Sequence, residues 1–424
     1  MGKRVIQYLL KYFLGVVCLL LSWQMGSFVS NAEEPVIVVI DPGHGGENEG
    51  GKYGDYIEKE LTIKVAMAMK EELEKYEGIQ VYLTRTEDVD MSLQERADYA
   101  KEKNADFLVC LHFNMSEYHT LYGEECWVSA FENCYAKGTD FAKIVNELLS
   151  ETGLHSRGIK TRLNSKGIDY YGIIRAATEY GIPSCLIEHC HLDHPNDAEF
   201  INHDSWPAYY GKTDATAIAK FYGLKSETLQ QDFSNFTYEV TPVPTERMDP
   251  DKTGPEYCEI KEAVIDETAG VLRVTIAAGE KESRLCYYQY AFDDSEIFSP
   301  LQSWVTLRGD DRYGEMDVEI PLPDKGAGLL TIRVSNNYDL IADSEPVALD
   351  ELQIVNPIIV ETSNNSIKEK NVVEDLIVTE VIQEEEKQNN ISVGMWFVIV
   401  LGILVTAELI VVTKGIKRGR KKRG

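Results

Sequence analysis

Two histidines stand where apolar runs end. His44 follows Val36–Ile40 in Ile40-Asp41-Pro42-Gly43-His44-Gly45-Gly46, and His112 follows Phe107–Leu111 in Leu111-His112-Phe113-Asn114. A run of this kind reads as a buried strand that presents an imidazole at its C-terminal end, the edge where open α/β sheets collect their ligands. Glu58 opens a helical pattern in Glu58-Lys59-Glu60-Leu61. A carboxylate in a first helical turn also has a plainer use, stabilising the helix dipole. Glu188 follows a third apolar run, Pro183–Ile187. Two imidazoles and one carboxylate leave a fourth zinc position open for water. A further carboxylate that does not ligate the metal would then be the general base. The expectation is a Zn2+ site at His44, Glu58 and His112, with Glu188 as the base of a hydrolase.

Elements must bring these groups together. Strand patterns at 36–40, 80–84, 106–111, 123–130 and 183–187 alternate with helical patterns at 60–76, 93–103, 140–150 and 213–222. This alternation predicts an α/β domain over residues 33–224, with a mixed, largely parallel sheet flanked by helices. Residues 225–256 are polar and hold Pro242, Pro244, Pro250 and Pro255, a linker pattern. Short alternating runs at 271–277, 285–292, 304–307, 316–320 and 329–334 predict a small all-β sandwich over 257–350, immunoglobulin-like in shape. It shows no cluster of chemical groups, so adhesion or spacing is its expected role. Residues 351–392 read as an acidic stalk.

The two ends speak to location. Residues 1–32 have a basic lead, an apolar run and a small-residue site, the pattern of a secretory signal peptide, with an uncleaved anchor as the alternative. Residues 393–413 are apolar over a length that spans a bilayer, which takes about 20 helical residues. The basic tail 414–424 should then stay in the cytoplasm. The catalytic part is expected outside the cell, tethered by one C-terminal helix. The chain has 42 Lys and Arg against 70 Asp and Glu, a net charge of -28. Such an acidic surface argues against nucleic acid, whose phosphates need cations. Of eight cysteines, Cys18 falls in the leader; Cys126 with Cys134 and Cys258 with Cys286 are the candidate disulfides. With no Cys-x-x-Cys, a thiolate zinc site is not expected.

The same residues resemble a family. The stretches Ile40–Gly46, Glu58–Leu61, Leu83-Thr84-Arg85 with Asp88, Leu93 and Arg96, Ala105–Asn114, Ile182–Glu188 and Pro195–Ala198 are similar in order and spacing to the zinc-dependent N-acetylmuramoyl-L-alanine amidases of the amidase-3 type. The resemblance covers about residues 35–224. It implies zinc held by His44, Glu58 and His112, Glu188 as catalytic residue, peptidoglycan as substrate, and hydrolysis of the amide between N-acetylmuramic acid and L-alanine. It also implies a substrate-side place for Arg175, for which a surface salt bridge is the plainer alternative. Asp41 and Asn114 are expected to orient ligands, and Arg85 and Arg96 to pair with Asp88 or helix ends.

The chain departs from the family after Glu188. His189, His191 and His194 follow within six residues. They are a polar loop, or else a second metal site or a substrate contact. Two other functions stay open: a zinc peptidase acting on the stem peptide, and a silent wall-binding or regulatory protein on the same fold. The partner of the β domain is open as well.

Overall fold

The computed structural model describes residues 34–354 apart from 294 and 324–326. The expected signal peptide, the span at 393–413, the basic tail and nearly all of the stalk lie outside the described residues. Among the described residues no helix is long and apolar enough to cross a membrane.

Six strands form the first sheet: β1 (Val36–Pro42), β2 (Ile79–Leu83), β3 (Phe107–Asn114), β4 (Glu124–Val128), β5 (Ser156–Lys160) and β6 (Ser184–His191). Their order is β2-β1-β3-β6-β4-β5. Every pairing is parallel except β4 with β6. The sheet is thus mixed and largely parallel. β5 has no apolar run of its own, since Ser156-Arg157-Gly158-Ile159-Lys160 carries two cations in place of hydrophobes; periodicity alone does not find it.

Alternation along the central strands divides the core. Val38 and Ile40 of β1, with Phe107, Val109 and Leu111 of β3, face helices α1 (Glu58–Leu73), α3 (Glu132–Ser150) and α6 (Trp206–Tyr222). Val39, Leu108, Cys110 and Leu186 face α2 (Leu93–Glu102) and α4 (Gly172–Glu179). A short α5 spans Pro195–Ala198. Strands buried on both faces read as continuous apolar runs, which is why β1 and β3 are legible. Each buried Val, Leu or Ile contributes about 1.5–3 kcal/mol of transfer free energy. Local chemistry fixes the helix ends. Ser92 and Glu95 form a capping box at α2, and Gly223, at φ 64°, closes α6 in the left-handed region.

Residues 257–354 form two packed five-stranded sheets. One is built on β7 (Tyr257–Asp266), β8 (Val271–Gly279) and β10 (Tyr313–Pro321), the other on β9 (Leu285–Phe292) and β11 (Leu329–Asn336). Leu272, Val274, Ile276 and Ile320 from the first meet Leu330, Ile332 and Val334 from the second. The expected strand at 304–307 does not form. Trp304 is buried there, but Val305 and Leu307 are exposed between two two-residue strands.

The joining segment is no free linker. Phe233, Phe236 and Tyr238 pack on the α/β core. The Thr241 amide donates to Asp140 (2.7 Å), and the Met248 amide to the Ala130 carbonyl (2.8 Å). Segment 225–256 is a strap that lays the β domain against the first sheet. The expected disulfides do not form either: the seven cysteines from Cys110 to Cys286 are buried free thiols. Cys258 faces the β-domain core, whereas Cys286 packs outward against Tyr122, so the two sulfurs point apart.

Candidate metal centre

β1 and β3 end side by side, and the Gly43 amide donates to the Leu111 carbonyl (3.0 Å). The chain beyond β1 turns sharply at His44, which has φ 61°. A non-glycine residue in the left-handed region costs on the order of 1 kcal/mol and persists only when its surroundings fix it. Here they do. Arg96 donates to the His44 carbonyl (2.7 Å), the Pro42 carbonyl (2.8 Å) and buried Asp41 (2.8 Å). Arg85 donates to the carbonyls of Pro42 (3.1 Å) and Gly43 (2.9 Å). Arg96 therefore pairs with Asp41, and Asp88 takes Lys59 instead (2.7 Å), unlike the expected pairing. Asp41 touches no ligand side chain; it anchors the arginine that holds the His44 backbone.

Glu58 is the first residue of α1 and is 4% exposed. Its carboxylate accepts from the amides of Gly51 (2.6 Å) and Phe113 (3.0 Å). It also lies 3.0 Å from His44 Nε2 and 2.9 Å from His112 Nδ1. One ligand atom from each of the three residues falls within 4.8 Å of the others, the one such cluster among the described residues. Burial opposes the Glu58 charge, yet the hydrogen bonds from His112 and His44 and their charges hold its pKa far below the ordinary carboxylate range. Burial likewise pushes His44 down, but the hydrogen bond and charge of Glu58 win and its pKa is raised.

The donor set fits a divalent metal. Asn48 Oδ1 accepts from the Gly50 amide and lies 2.9 Å from His44 Nδ1, so Nδ1 carries the proton and Nε2 keeps its lone pair toward the cluster. Two glycines leave room for the rings. A Cβ on Gly43 would stand 2.3 Å from His112 Cε1, and one on Gly50 would stand 2.5 Å from Glu58 Oε2.

Glu188 pairs with His112 across β3–β6 and with Glu125 across β4–β6. Register partners point to one face of a sheet. His112, Asn114, Glu125, Trp127 and Glu188 thus share the face that α2 and α4 cover in part, where Trp127 packs with them. Glu188 Oε2 is buried without a hydrogen-bond partner. Burial, then repulsion from Glu58 and Glu125, pushes its pKa well above the usual carboxylate value, with Lys160 opposing.

Glu125 is the group that sequence reasoning missed. It is 3% exposed and receives Arg157 Nε (2.7 Å), Lys160 Nζ (2.6 Å), Asn114 Nδ2 (2.9 Å) and Trp127 Nε1 (3.1 Å). Burial opposes its charge, but Lys160 and Arg157 hold its pKa below the ordinary range. The signal was there: Glu124-Glu125 interrupts a run that is otherwise apolar, and two cations occupy β5. Asn114 orients Glu125 and reaches no metal ligand.

The three later histidines do not make a second metal site. A bulge in β6 lies between Glu188 and His191. Alternation turns His189 to the opposite face, where it is fully buried between the His112 carbonyl (3.0 Å) and Asp214 (2.9 Å), and the bulge keeps Cys190 there too and returns His191 to the face of Glu188. His189 therefore supports the His112 backbone from behind. His191 is buried and bonded to the Gly123 carbonyl (3.0 Å); burial lowers its pKa to about 4. His194 stacks on Tyr122 at 4.7 Å and caps α5. Among the described residues Arg175 forms no ion pair and no hydrogen bond to the four groups. It donates to the carbonyls of Asp169 (2.7 Å) and Tyr170 (3.1 Å), fixing the loop before α4.

A groove of about 430 Å³ opens on the side of Asn114 and Glu125, lined by these with Met115, Arg162, Tyr171 and Tyr338 among others; none of the four groups lines it. A larger cavity, about 630 Å³, lies at the domain junction and likewise holds none of the four groups.

Residues 38–220 match the amidase-3 family, described as N-acetylmuramoyl-L-alanine amidase. The chain is similar to N-acetylmuramoyl-L-alanine amidase CwlM of Bacillus licheniformis, 28% identical over 191 residues, covering 45% of this chain and 70% of that protein. It is similarly related to the sporulation-specific N-acetylmuramoyl-L-alanine amidase of Bacillus subtilis, 28% identical over 192 residues, with 45% and 69% covered. Among solved structures, Cwp6 from Clostridium difficile is 28% identical with a TM-score of 0.42, covering 44% of this chain and 29% of that one. The catalytic domain of CwlV from Bacillus (Paenibacillus) polymyxa var. colistinus is 24% identical with a TM-score of 0.39, covering 45% and 99%.

Proposed function

We propose, from the premise that residues 38–220 belong to the amidase-3 family, that this chain is an N-acetylmuramoyl-L-alanine amidase. It hydrolyses peptidoglycan at the amide between N-acetylmuramic acid and L-alanine. The observation that carries the chemistry is the convergence of His44, Glu58 and His112, with Glu188 on the neighbouring strand.

His44 Nε2, the Glu58 carboxylate and His112 Nδ1 are the groups that would hold zinc. Bound there, zinc would supply Lewis acidity to the scissile carbonyl and to water. Glu188 supplies the proton traffic. Its unpartnered oxygen, on the face of His112, suits a group that takes a proton from water as the new C–O bond forms. The same carboxyl gives that proton to the amine nitrogen as the C–N bond breaks. Asp41 with Arg96, and His189 with Asp214, keep the two histidine-bearing backbones still while this happens. Asn114, Arg157 and Lys160 hold Glu125 beside the base, so the field at Glu188 is fixed by buried charges.

The place of work is part of the proposal. The leader pattern at 1–32, the apolar run at 393–413 and the basic tail support a membrane-tethered amidase whose catalytic domain faces the wall outside the cytoplasm.

The test is digestion of purified sacculi with the zinc-loaded chain, read by mass spectrometry. Intact stem peptides with a free L-alanine amine are expected. Cleavage within the stem instead would make the chain a peptidase and overturn the assignment.

A further inference from the structure

The groove lined by Asn114 and Glu125, which share the face of His112 and Glu188, is not made by the catalytic domain alone. Tyr338 and Asp339, on the turn after β11, form one wall. That turn is pinned from inside. Asn336, fully buried, accepts from the Tyr338 and Leu340 amides (3.0 Å each) and donates to Asp251, Glu280 and the Thr253 carbonyl (3.0 Å each). Asp339 sits at φ 62° and grips Arg157 Nη2 through both oxygens (3.1 and 3.0 Å). The Tyr338 hydroxyl accepts from the Thr161 amide (3.0 Å) and donates to the Thr161 carbonyl (3.3 Å), fixing the backbone next to Arg162.

The charges in the groove are unequal. Arg157 and Lys160 are committed to Glu125 and Asp339. Arg162 is the third cation of the lining, and it forms no ion pair among the described residues. Its guanidinium lies 3.8 Å over the Tyr170 ring and beside the Tyr171 side chain, neither of which carries a negative charge. A guanidinium fork without an anionic partner matches a carboxylate. In a chain of net charge -28, a cation without an anionic partner in the groove that Glu125 also lines marks where an anionic part of the substrate would settle.

We infer that the β domain completes the substrate groove, and that Arg162, positioned through Tyr338, binds a free carboxylate of the acidic peptide stem. The inference rests on the amidase reading. It assigns the β domain a part in substrate binding, in place of the adhesion or spacing expected from sequence.

Soluble muramyl peptides test it, one with free stem carboxylates and one fully amidated, assayed with the full zinc-loaded chain. The wild type should favour the free acid by about tenfold in kcat/KM, through KM. Arg162→Gln should erase that preference and keep kcat, while Arg162→Lys should restore part of it. Tyr338→Phe should raise KM for the free acid about threefold with kcat unchanged. A preference that survives Arg162→Gln, or an equal KM in Tyr338→Phe, would overturn the inference. Calorimetric titration with the free stem peptide separates this from the amidase reading. If neither muramyl peptide is cut, the amidase reading fails, and the groove still stands or falls on whether Arg162→Gln abolishes peptide binding.

Discussion

Glu188 and Glu124 show how neighbours decide what a carboxyl does. Glu188 keeps an oxygen free on the face of the metal cluster, so Glu188→Gln should lower amidase turnover by about 10²–10⁴-fold. Metal analysis of the same variant should still find one zinc, because the glutamate is not a ligand. His44→Ala should lose both zinc and turnover. Glu124 is fully buried, with one oxygen unpartnered, and burial lifts its pKa to about 7. Its folded value exceeds its unfolded value, so the folded chain holds a proton that the unfolded chain has released. Stability should therefore fall as pH rises from about 4.5 through 7, by about 2–3 kcal/mol for this one group. Glu124→Gln should show little change at pH 4 and a growing gain above it, read by denaturant unfolding across that range. A constant offset would remove Glu124 as the source. At this scale the four groups of the proposed chemistry were legible, because each ends an apolar run or opens a helix. Glu125, Lys160 and Arg162 were not, because no local pattern marks a charge whose partner is tens of residues away.

At the scale of elements, strand ends and turns place the ligands. Gly43 lets the His112 ring lie against the end of β1. Gly43→Ala would drive a Cβ into that ring, so zinc affinity should fall by tenfold or more with the thermal midpoint much less affected. Equilibrium competition with a chelator measures the first and calorimetry the second. Arg96 joins α2 to the turn after β1 through buried Asp41. Removing one member of a buried pair strands the other, so Arg96→Ala should cost about 3–5 kcal/mol. It should weaken zinc binding as well, since the His44 carbonyl loses its donor. The bulge in β6 carries its own lesson. Three histidines within six residues invite a metal reading, but a strand alternates faces, which sends His189 into the core, and one inserted residue keeps Cys190 there and returns His191 to the face of Glu188. Sequence spacing shows the alternation and hides the bulge.

For the whole molecule, the decisive feature is that the β domain is docked. Arg157, buried in β5, bonds Glu125 on one side and Tyr287 and Asp339 of the β domain on the other. Gly158 makes room, since a Cβ there would stand 2.9 Å from Arg284 Cδ. The described part of the chain should therefore unfold in one cooperative calorimetric transition. Arg157→Ala should split it in two and expose the strap around Met248 to limited proteolysis. A single sharp transition in that variant would show that the packing of the strap alone joins the two parts.

The chain's own order of residues determined the α/β class, the β domain, the strap's position and the four side chains proposed for the chemistry. These depend on local periodicity and on groups placed at the ends of apolar runs. Tertiary structure decided which face each group shares, that Glu125 sits beside Glu188, that the thiols stay unpaired, and that Tyr338 reaches the groove from 150 residues beyond Glu188. Those outcomes depend on register, on one bulge and on the docking of two domains, where the interacting charges are distant in sequence and meet only when backbone pairing brings them within a few ångströms.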